Sequence, residues 1–277
     1  IKKAISSAIA QHCLDVDVVV IFNGDNMRQD IVDTVSKLDN VKVERHADMT
    51  LADATLLGRQ LVTKAFFCFI DDDDVFLENT LIAPIEFLIQ HDEIDVVACN
   101  GYRQMGENHK KLLHLDKPNL GERPLFELTK KNWLASCGGI YKSSSIDESY
   151  FSLNMQYFEW TMIAFLLAQE KRIHFFEQPV FVINNSIDSV SKSEAYVNAL
   201  PGVFQKMLQY PLPLDVFQAL KFRLSSAYHE LSDRYRKKGD YLKAWKFHWL
   251  SLTSSSDLKY VSYTWRLIYP EYKRKSD

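Results

Sequence analysis

Four consecutive carboxylates, Asp71-Asp72-Asp73-Asp74, follow directly on the apolar run Ala65-Phe66-Phe67-Cys68-Phe69-Ile70. Like charges held side by side repel, so such a run at the end of a buried strand makes sense where a cation, or a metal ion carried on a phosphate, sits among them. An acidic turn bathed in solvent is the plainer alternative for an isolated acid run. Position argues for the site. In open α/β sheets ligands gather beyond the carboxyl ends of strands, and Val75-Phe76-Leu77-Glu78-Asn79-Thr80-Leu81 leads into an apolar helix, which puts the acids on a strand-to-helix turn. All-oxygen donors of this kind select Mg²⁺ or Mn²⁺. A further acid, Glu159, stands in Gln156-Tyr157-Phe158-Glu159-Trp160 at the start of a strongly apolar helix running to about Gln169. It either complements the helix dipole or accepts a proton in a reaction. The stretch Asn132-Trp133-Leu134-Ala135-Ser136-Cys137-Gly138-Gly139-Ile140-Tyr141 sets small residues beside a tryptophan. There a backbone either approaches a ligand closely or bends at a sheet edge.

These residues need a scaffold, and the patterning supplies one. Ile1, Ala4, Ile5 and Ala8 recur at helical spacing. The β-branched run Asp17-Val18-Val19-Val20-Ile21-Phe22 is a strand stopped by the turn residues Asn23-Gly24-Asp25-Asn26. A helix with Ile31, Val35 and Leu38, the alternating strand Val41-Lys42-Val43-Glu44-Arg45 and a helix over Leu51 to Lys64 deliver the chain to the aspartates. Leu81 to Gln90 reads as the next helix and Ile94 to Cys99 as the next strand, ending at Asn100-Gly101. Alternation of this kind predicts an α/β fold with a mostly parallel sheet and helices on both faces. Tyr102 to about Pro124 reads as a long polar loop, of the kind that is functional or mobile. Ile173-His174-Phe175-Phe176 and Val180-Phe181-Val182-Ile183 finish the sheet, ahead of the Ser/Asn-rich turn Asn184 to Ser193. Beyond residue 200 the character becomes helical, which divides the chain into a domain over 1–200 and a helical appendage over 201–277. In that appendage Tyr228, Leu231 and Tyr235 face Leu242, Trp245 and Trp249 as two packed helices.

With 277 residues, 47% of them hydrophobic, the chain can bury a substantial core. A formal net charge of −3 argues against nucleic-acid binding through bulk positive charge. Cys13, Cys68, Cys99 and Cys137 are scattered and read as thiols in a reducing compartment; neither they nor the eight histidines have zinc-ligand spacing. No apolar run is long enough for a membrane span and no secretory signal precedes the first helix, which points to a cytoplasmic protein.

Taken in order, the strand ending at Asn23-Gly24, the run Phe69-Ile70-Asp71-Asp72-Asp73-Asp74, the helix opening Phe158-Glu159-Trp160 and Ser189-Val190-Ser191-Lys192-Ser193 resemble the family 2 glycosyltransferases. The tail, with Tyr228-His229-Glu230-Leu231-Ser232 and Ala244-Trp245-Lys246-Phe247-His248, is similar to a helical extension in some bacterial members. The resemblance covers nearly the whole chain. It implies a GT-A nucleotide-sugar fold and a metal-dependent, inverting transfer of a sugar from a nucleotide-diphosphate sugar to a saccharide or lipid-linked saccharide, in bacterial surface polysaccharide or glycoconjugate synthesis. It places an Asp-x-Asp element on the metal-binding pair Asp71 and Asp73, with Asp73 the direct ligand and Asp71 touching sugar or ribose; the frame Asp72/Asp74 is the alternative. It puts Asn23, Asp25, Arg59 and Asp72 on the donor, places Trp133, Trp160 and Gly138 on the acceptor side, and makes Glu159 the general base. Three departures stand out. The family's opening apolar strand and Pro/Asn-containing loop have no counterpart ahead of the first helix, so either that strand lies outside this sequence or the site lacks it. Phe22 replaces the acid that commonly contacts the base, and Asn184-Asn185 stands where many members carry a histidine.

A nucleotidyltransferase would also use strand-end acids but would release pyrophosphate and need no Glu159. A non-catalytic scaffold working through the helical tail is the other alternative, discriminated by failure to bind any nucleotide sugar. In the tail, Trp245, Trp249, Tyr263, Trp265 and Tyr269 interleave with Lys259, Arg266, Lys273, Arg274 and Lys275. That pattern suits peripheral contact with the inner face of the plasma membrane, or else a packed helical pair with a solvated basic end.

Overall fold

The computed structural model describes residues 1–12, 14–24, 28–106, 108–113, 119–184 and 193–269. Cys13, Asp25, Asn185, the residues Ser189 to Lys192 and the basic run Lys273-Arg274-Lys275, all singled out above, lie outside them. The chain divides into two units, Ile1–Ile187 and Asp188–Asp277.

The first unit runs α1 (Lys2–Ile9), β1 (Val18–Asn23), α2 (Gln29–Val35), β2 (Val41–His46), α3 (Leu51–Gln60), β3 (Phe66–Phe67), β4 (Val75–Phe76), α4 (Ile82–Gln90), β5 (Val96–Met105), β6 (Asn108–Lys111), α5 (Asn119–Glu122), α6 (Pro124–Lys130), β7 (Gly139–Lys142), α7 (Glu159–Glu170) and β8 (Ile173–Ile183). It is the expected α/β fold with helices on both faces. β1 and β2 pair in parallel, and the larger sheet has the order β3-β7-β5-β8-β4 with β6 beside β5. That larger sheet is mixed. β5 and β8 run parallel, whereas β3 and β5 each pair with β7, β4 pairs with β8, and β6 with β5, antiparallel. Val96, Val97, Ala98, Cys99 and Asn100 of β5 are all buried in succession, so both faces of the sheet centre are covered. Ala8 of α1 and Leu88 of α4 pack with Val97, Cys99, Ile140 and Phe181 in one core cluster, and Ile5, Val20 and Val35 anchor another around β1. Thr50 caps α3 by accepting a hydrogen bond from the Asp53 N–H at 3.1 Å.

Three expectations change. The acids do not lie on a strand-to-helix turn: Val75-Phe76 is a short strand paired with Val182-Phe181, and the helix begins only at Ile82. Asn100-Gly101 does not end its strand. It forms a bulge against β8, where Asn100 Oδ1 accepts from the Gly101 and Leu113 N–H groups at 2.9 and 3.1 Å and its Nδ2 donates to Leu113 O at 3.0 Å. A β-carbon on Gly101 would come within 2.3 Å of the Phe181 ring, so only glycine fits this bulge. The long loop from Tyr102 is in its first part a hairpin, with Tyr102 to Met105 paired to Asn108 to Lys111. Polarity had masked it, because Asn108, His109 and Lys110 are exposed and an edge strand needs no apolar face there.

The second unit comprises α8 (Glu194–Met207), α9 (Leu214–Lys237), α10 (Tyr241–Ser254) and α11 (Thr264–Ile268). Ser193 and Asp240 cap α8 and α10 by accepting the Tyr196 and Lys243 N–H groups, each at 3.1 Å. Residue 200, where the composition shifts, lies within α8. The expected pairing of α9 with α10 forms, with a different face of α10. Small side chains allow close approach: Ser225 Oγ donates to Ser251 O at 2.7 Å and Ser232 Oγ to Ala244 O at 2.8 Å. Phe247 stacks on Tyr228 and Tyr235. Leu242, Trp245 and Trp249 are turned outward, 88%, 39% and 67% exposed. The stripe through 244, 248 and 251 is the buried one, offset by about a third of a turn from the tryptophans.

Candidate active site

The acid run sits between β3 and β4 in a tight turn closed by the Asp74 N–H donating to Asp71 O at 3.2 Å. Its members have different surroundings. Asp74 is buried at 3% exposure, its Oδ1 accepting from the Asn184 N–H at 3.0 Å and its Oδ2 from the Cys137 thiol at 3.5 Å. Burial pushes the Asp74 carboxyl up to about 7 against the pull of the Asn184 N–H, and the charges of Asp71 and Asp73 push the same way as burial. The Cys137 thiol is raised by burial and by the neighbouring carboxylates, so it remains a donor. Asp71 Oδ2 accepts a 2.7 Å hydrogen bond from Ser136 Oγ. Crowding by protein atoms raises Asp71, Ser136 pulls it down, and the charges of Asp73 and Asp72 raise it further. Asp71, Asp72 and Asp73 are all exposed to solvent, and the Asp73 carbonyl accepts from the Asn184 side-chain amide.

The stretch from Asn132 to Tyr141 therefore meets the acids through side chains, in a 3₁₀ turn over Ser136–Gly138 that leads into β7. Its small residues admit protein rather than open space. A β-carbon on Gly138 would lie 3.3 Å from Ala135 and from the Phe181 ring. Trp133 is 1% exposed with its indole N–H donating to Pro124 O at 3.1 Å, which makes it part of the core.

Glu159 is the first residue of α7 and its Oε1 accepts from the Tyr157 N–H at 2.9 Å. Tyr157 and Phe158 both take the left-handed conformation, φ 72° and 61°. Successive bulky residues there cost energy and are held only by surrounding structure. The start of α7 is tied to the acid turn by two contacts. Trp160 packs edge-on against Phe69, ring centroids 5.3 Å apart, and Phe69 is two residues before Asp71. Asn132 Nδ2 donates to Thr161 Oγ1 at 3.2 Å, so the segment carrying Ser136 is fastened to the same helix start. Phe67, Phe69, Tyr141 and Phe151 form the aromatic bed beneath.

On the donor side, Gly24 follows the end of β1 at φ +105°, and among the described residues, its chain neighbours aside, no atom lies within 4 Å of where a β-carbon would be. Asn23 is exposed, with Nδ2 lying 3.5 Å from Met49 O. The Asn23-Gly24 turn and Asp71 are brought near each other by α3: a β-carbon on Gly58 would lie 3.5 Å from Ile21 and 3.4 Å from Phe69. Each of those residues is two positions, about 7 Å of extended chain, from its turn. Arg59 does not serve the donor as expected. Its Nε and Nη2 donate to Ile146 O and Ser143 O at 2.8 and 2.9 Å, and its guanidinium lies 4.8 Å over the Phe67 ring. The arginine staples α3 to the segment after β7.

Among the described residues no three His, Cys, Asp or Glu side chains converge to enclose a cation. The acid turn instead offers exposed carboxylates beside a partly crowded one, and one or two carboxylates completed by substrate phosphates is how Mg²⁺ is ordinarily held. The donor set fits a shared ion of that kind. Ser136, Cys137 and Asn184 are the functional neighbours that sequence reasoning missed. Asn184 left a trace through its position after the last strand, and Ser136 and Cys137 through the small-residue stretch that holds them, though not as partners of the acids.

One comparison with known proteins identifies a family. The family model described as glycosyl transferase family 2 matches residues 1–150. No curated protein sequence matches the chain. Among solved structures, S. aureus TarS 1–349 in complex with UDP-GlcNAc is 17% identical, with a TM-score of 0.55 over 87% of this chain and 71% of that one. The same fragment in complex with UDP is 14% identical, with a TM-score of 0.51 over 90% of this chain and 86% of that one. The S. aureus TarS structure without that truncation is 19% identical, TM-score 0.52, covering 87% of this chain and 43% of that one. At these identities the likeness is one of fold.

Proposed function

The chain belongs to glycosyl transferase family 2 and is a glycosyltransferase; from that premise we propose that it moves a sugar from a nucleotide-diphosphate sugar to a hydroxyl with inversion, Asp71 and Asp73 serving the diphosphate and Glu159 acting as general base. The observation that carries this reading is the Phe69–Trp160 contact, which ties a turn of carboxylates to a helix that starts with another carboxylate. The Asp71/Asp73 frame is preferred to Asp72/Asp74 because Asp74 is buried and spent on Asn184 and Cys137. Asp73 would hold Mg²⁺ or Mn²⁺ together with the donor's phosphates, and the ion would supply a Lewis acid for the charge developing on the departing diphosphate. Asp71, oriented by Ser136, faces sugar or ribose hydroxyls with its other oxygen. Asn23 and the open backbone at Gly24 receive the nucleoside.

Glu159 uses Oε1 to hold the Tyr157 N–H, and Oε2 takes the acceptor's proton. The acceptor oxygen bonds to the anomeric carbon as the bond to the diphosphate breaks, the proton passes to Glu159, and a nucleoside diphosphate leaves. One displacement inverts the anomeric centre. The acceptor is a saccharide or lipid-linked saccharide, and the outward aromatics of the helical unit bring it to a membrane surface. Among the described residues no helix is long and apolar enough to cross a membrane.

A thermal-shift titration of UDP-sugars with Mn²⁺, with Mg²⁺ and with a chelator tests the reading on the wild type and Asp73→Asn. Metal-dependent stabilisation is expected in the wild type and absent from a variant of unchanged melting temperature, since Asp73 is exposed. Metal-dependent donor binding that survives the substitution refutes the assignment, and release of pyrophosphate on turnover refutes the reaction class.

A further inference from the structure

We propose that the helical unit carries a second binding site, for a phosphate ester of a sugar or polyol. A cavity of about 740 Å³ opens there between His229 of α9, the segment beginning at Lys259, and α11. That volume lies in the range that encloses a small organic ligand. Its lining combines two kinds of group.

Lys259 and Arg266 supply positive charge, and among the described residues neither makes an ion pair. The nearby acid Asp233 is already spent, accepting from Lys237 at 2.6 Å, Arg236 at 2.9 Å and the Tyr263 hydroxyl at 3.0 Å. Lys259 is held over the Phe222 and Tyr260 rings, 4.9 and 5.4 Å from their centroids. A guanidinium beside an ammonium is a phosphate-binding pair. Two cations match one phosphate group, and a chain of net charge −3 without a basic stripe does not match a polyanion.

The rest of the lining is ring faces and one unmet polar atom. Tyr260 stacks on His229 at 4.0 Å, and Trp265 and Tyr269 stack at 5.7 Å, 13° from parallel, while 62% and 56% exposed. Flat faces open to solvent accept the C–H side of a sugar or polyol. His229 Nδ1 is buried with no hydrogen-bond partner. An orphaned polar atom in a cavity wall calls for a ligand group or a water. Burial holds His229 below the usual imidazole range, opposed by Asp233 and helped by the charges of Lys259 and Arg266, so the neutral ring meets a hydroxyl rather than a second anion.

The phosphate ester has two sources, a soluble sugar phosphate or the head of a glycerophospholipid, and the test separates them. Calorimetry on the full chain would use glucose 1-phosphate, glucose and inorganic phosphate as probes. Sedimentation would compare phosphatidylglycerol with phosphatidylcholine vesicles. Both would be repeated on the double variant Lys259→Gln/Arg266→Gln, whose side chains are exposed and whose fold is not at stake. Glucose 1-phosphate is expected to bind saturably, glucose and phosphate about tenfold or more weaker, and the double variant to lose about tenfold or more, since each half-ligand meets half of the contacts. Binding of phosphatidylglycerol vesicles alone, lost in the double variant, would assign the phosphate to a lipid head. The site is refuted if neither probe nor vesicle binds saturably, or if binding survives the double substitution. UDP-sugar stabilisation measured on the same samples belongs to the transfer site, so its failure would leave this inference standing.

Discussion

Replacing Glu159 with Gln leaves the side chain's shape and its hydrogen bond to Tyr157 in place and removes the capacity to take a proton. The Gln Oε1 can still accept the Tyr157 N–H that Glu159 accepts at 2.9 Å. The stability cost is the charge assistance of that bond and the carboxylate's interaction with the helix start, together about 1–2 kcal/mol. Catalysis by a general base is worth roughly 10²–10⁴-fold, about 2.7–5.5 kcal/mol of barrier, so turnover should fall by that factor at unchanged donor affinity. Glu159→Ala supplies the contrast. It abandons the Tyr157 N–H beside residues at φ 72° and 61°, and an orphaned N–H next to strained backbone costs about 2–3 kcal/mol. The alanine variant should therefore lose both stability and turnover, and the glutamine variant mainly turnover. Single-turnover rates, donor titration and chemical denaturation on the same preparations separate these outcomes. Turnover of Glu159→Gln within a few-fold of wild type would remove this residue from the chemistry and leave it a helix-start brace.

Arg59→Met should cost about 1–3 kcal/mol in denaturant, because two charge-assisted bonds to carbonyls are lost from a partly exposed group, while donor affinity stays constant; weakened donor binding at unchanged stability would return Arg59 to the diphosphate. Asp233 is pushed up by burial but held at about 2 by hydrogen bonds from Lys237, Arg236 and Tyr263. Because its folded-state value lies below the unfolded one, its contribution is present at neutral pH and is lost as pH falls from about 4 to about 2. After a discount for solvent, Asp233→Asn should cost about 1–2 kcal/mol at pH 7, a gap that closes across that acid window; a cost independent of pH in urea titrations would show that the pairs contribute nothing.

Periodicity alone located most of the elements. The β-branched run at Val18 to Phe22 and the helical stretches of α1, α4 and α7 needed no partner to be read, because a residue's neighbours at spacing 2 or 3.6 decide which face it shows. Short apolar pieces were less legible. Val75-Phe76 reads equally as helix entry or strand, and only pairing with Val182-Phe181 makes it a strand. The tryptophans of α10 were assigned to the wrong side, since a stripe of large apolar residues and a stripe of small ones are both consistent with a buried helix face, and the serine and alanine contacts chose the latter.

The same division runs through the site. Composition and order in the chain determined that four carboxylates end an apolar segment, that another opens a helix, and that the whole follows the pattern of a glycosyltransferase family. The tertiary structure decided which carboxylate is spent. Asp74 is taken by an N–H 110 residues away and a thiol 63 residues away, whereas Asp71 gives one oxygen to a hydroxyl 65 residues away and, like Asp73, stays exposed. Four identical side chains in a row carry no local mark of these differences. Burial and hydrogen-bond partners come from chain segments remote in sequence, and those set a carboxylate's charge state and its availability.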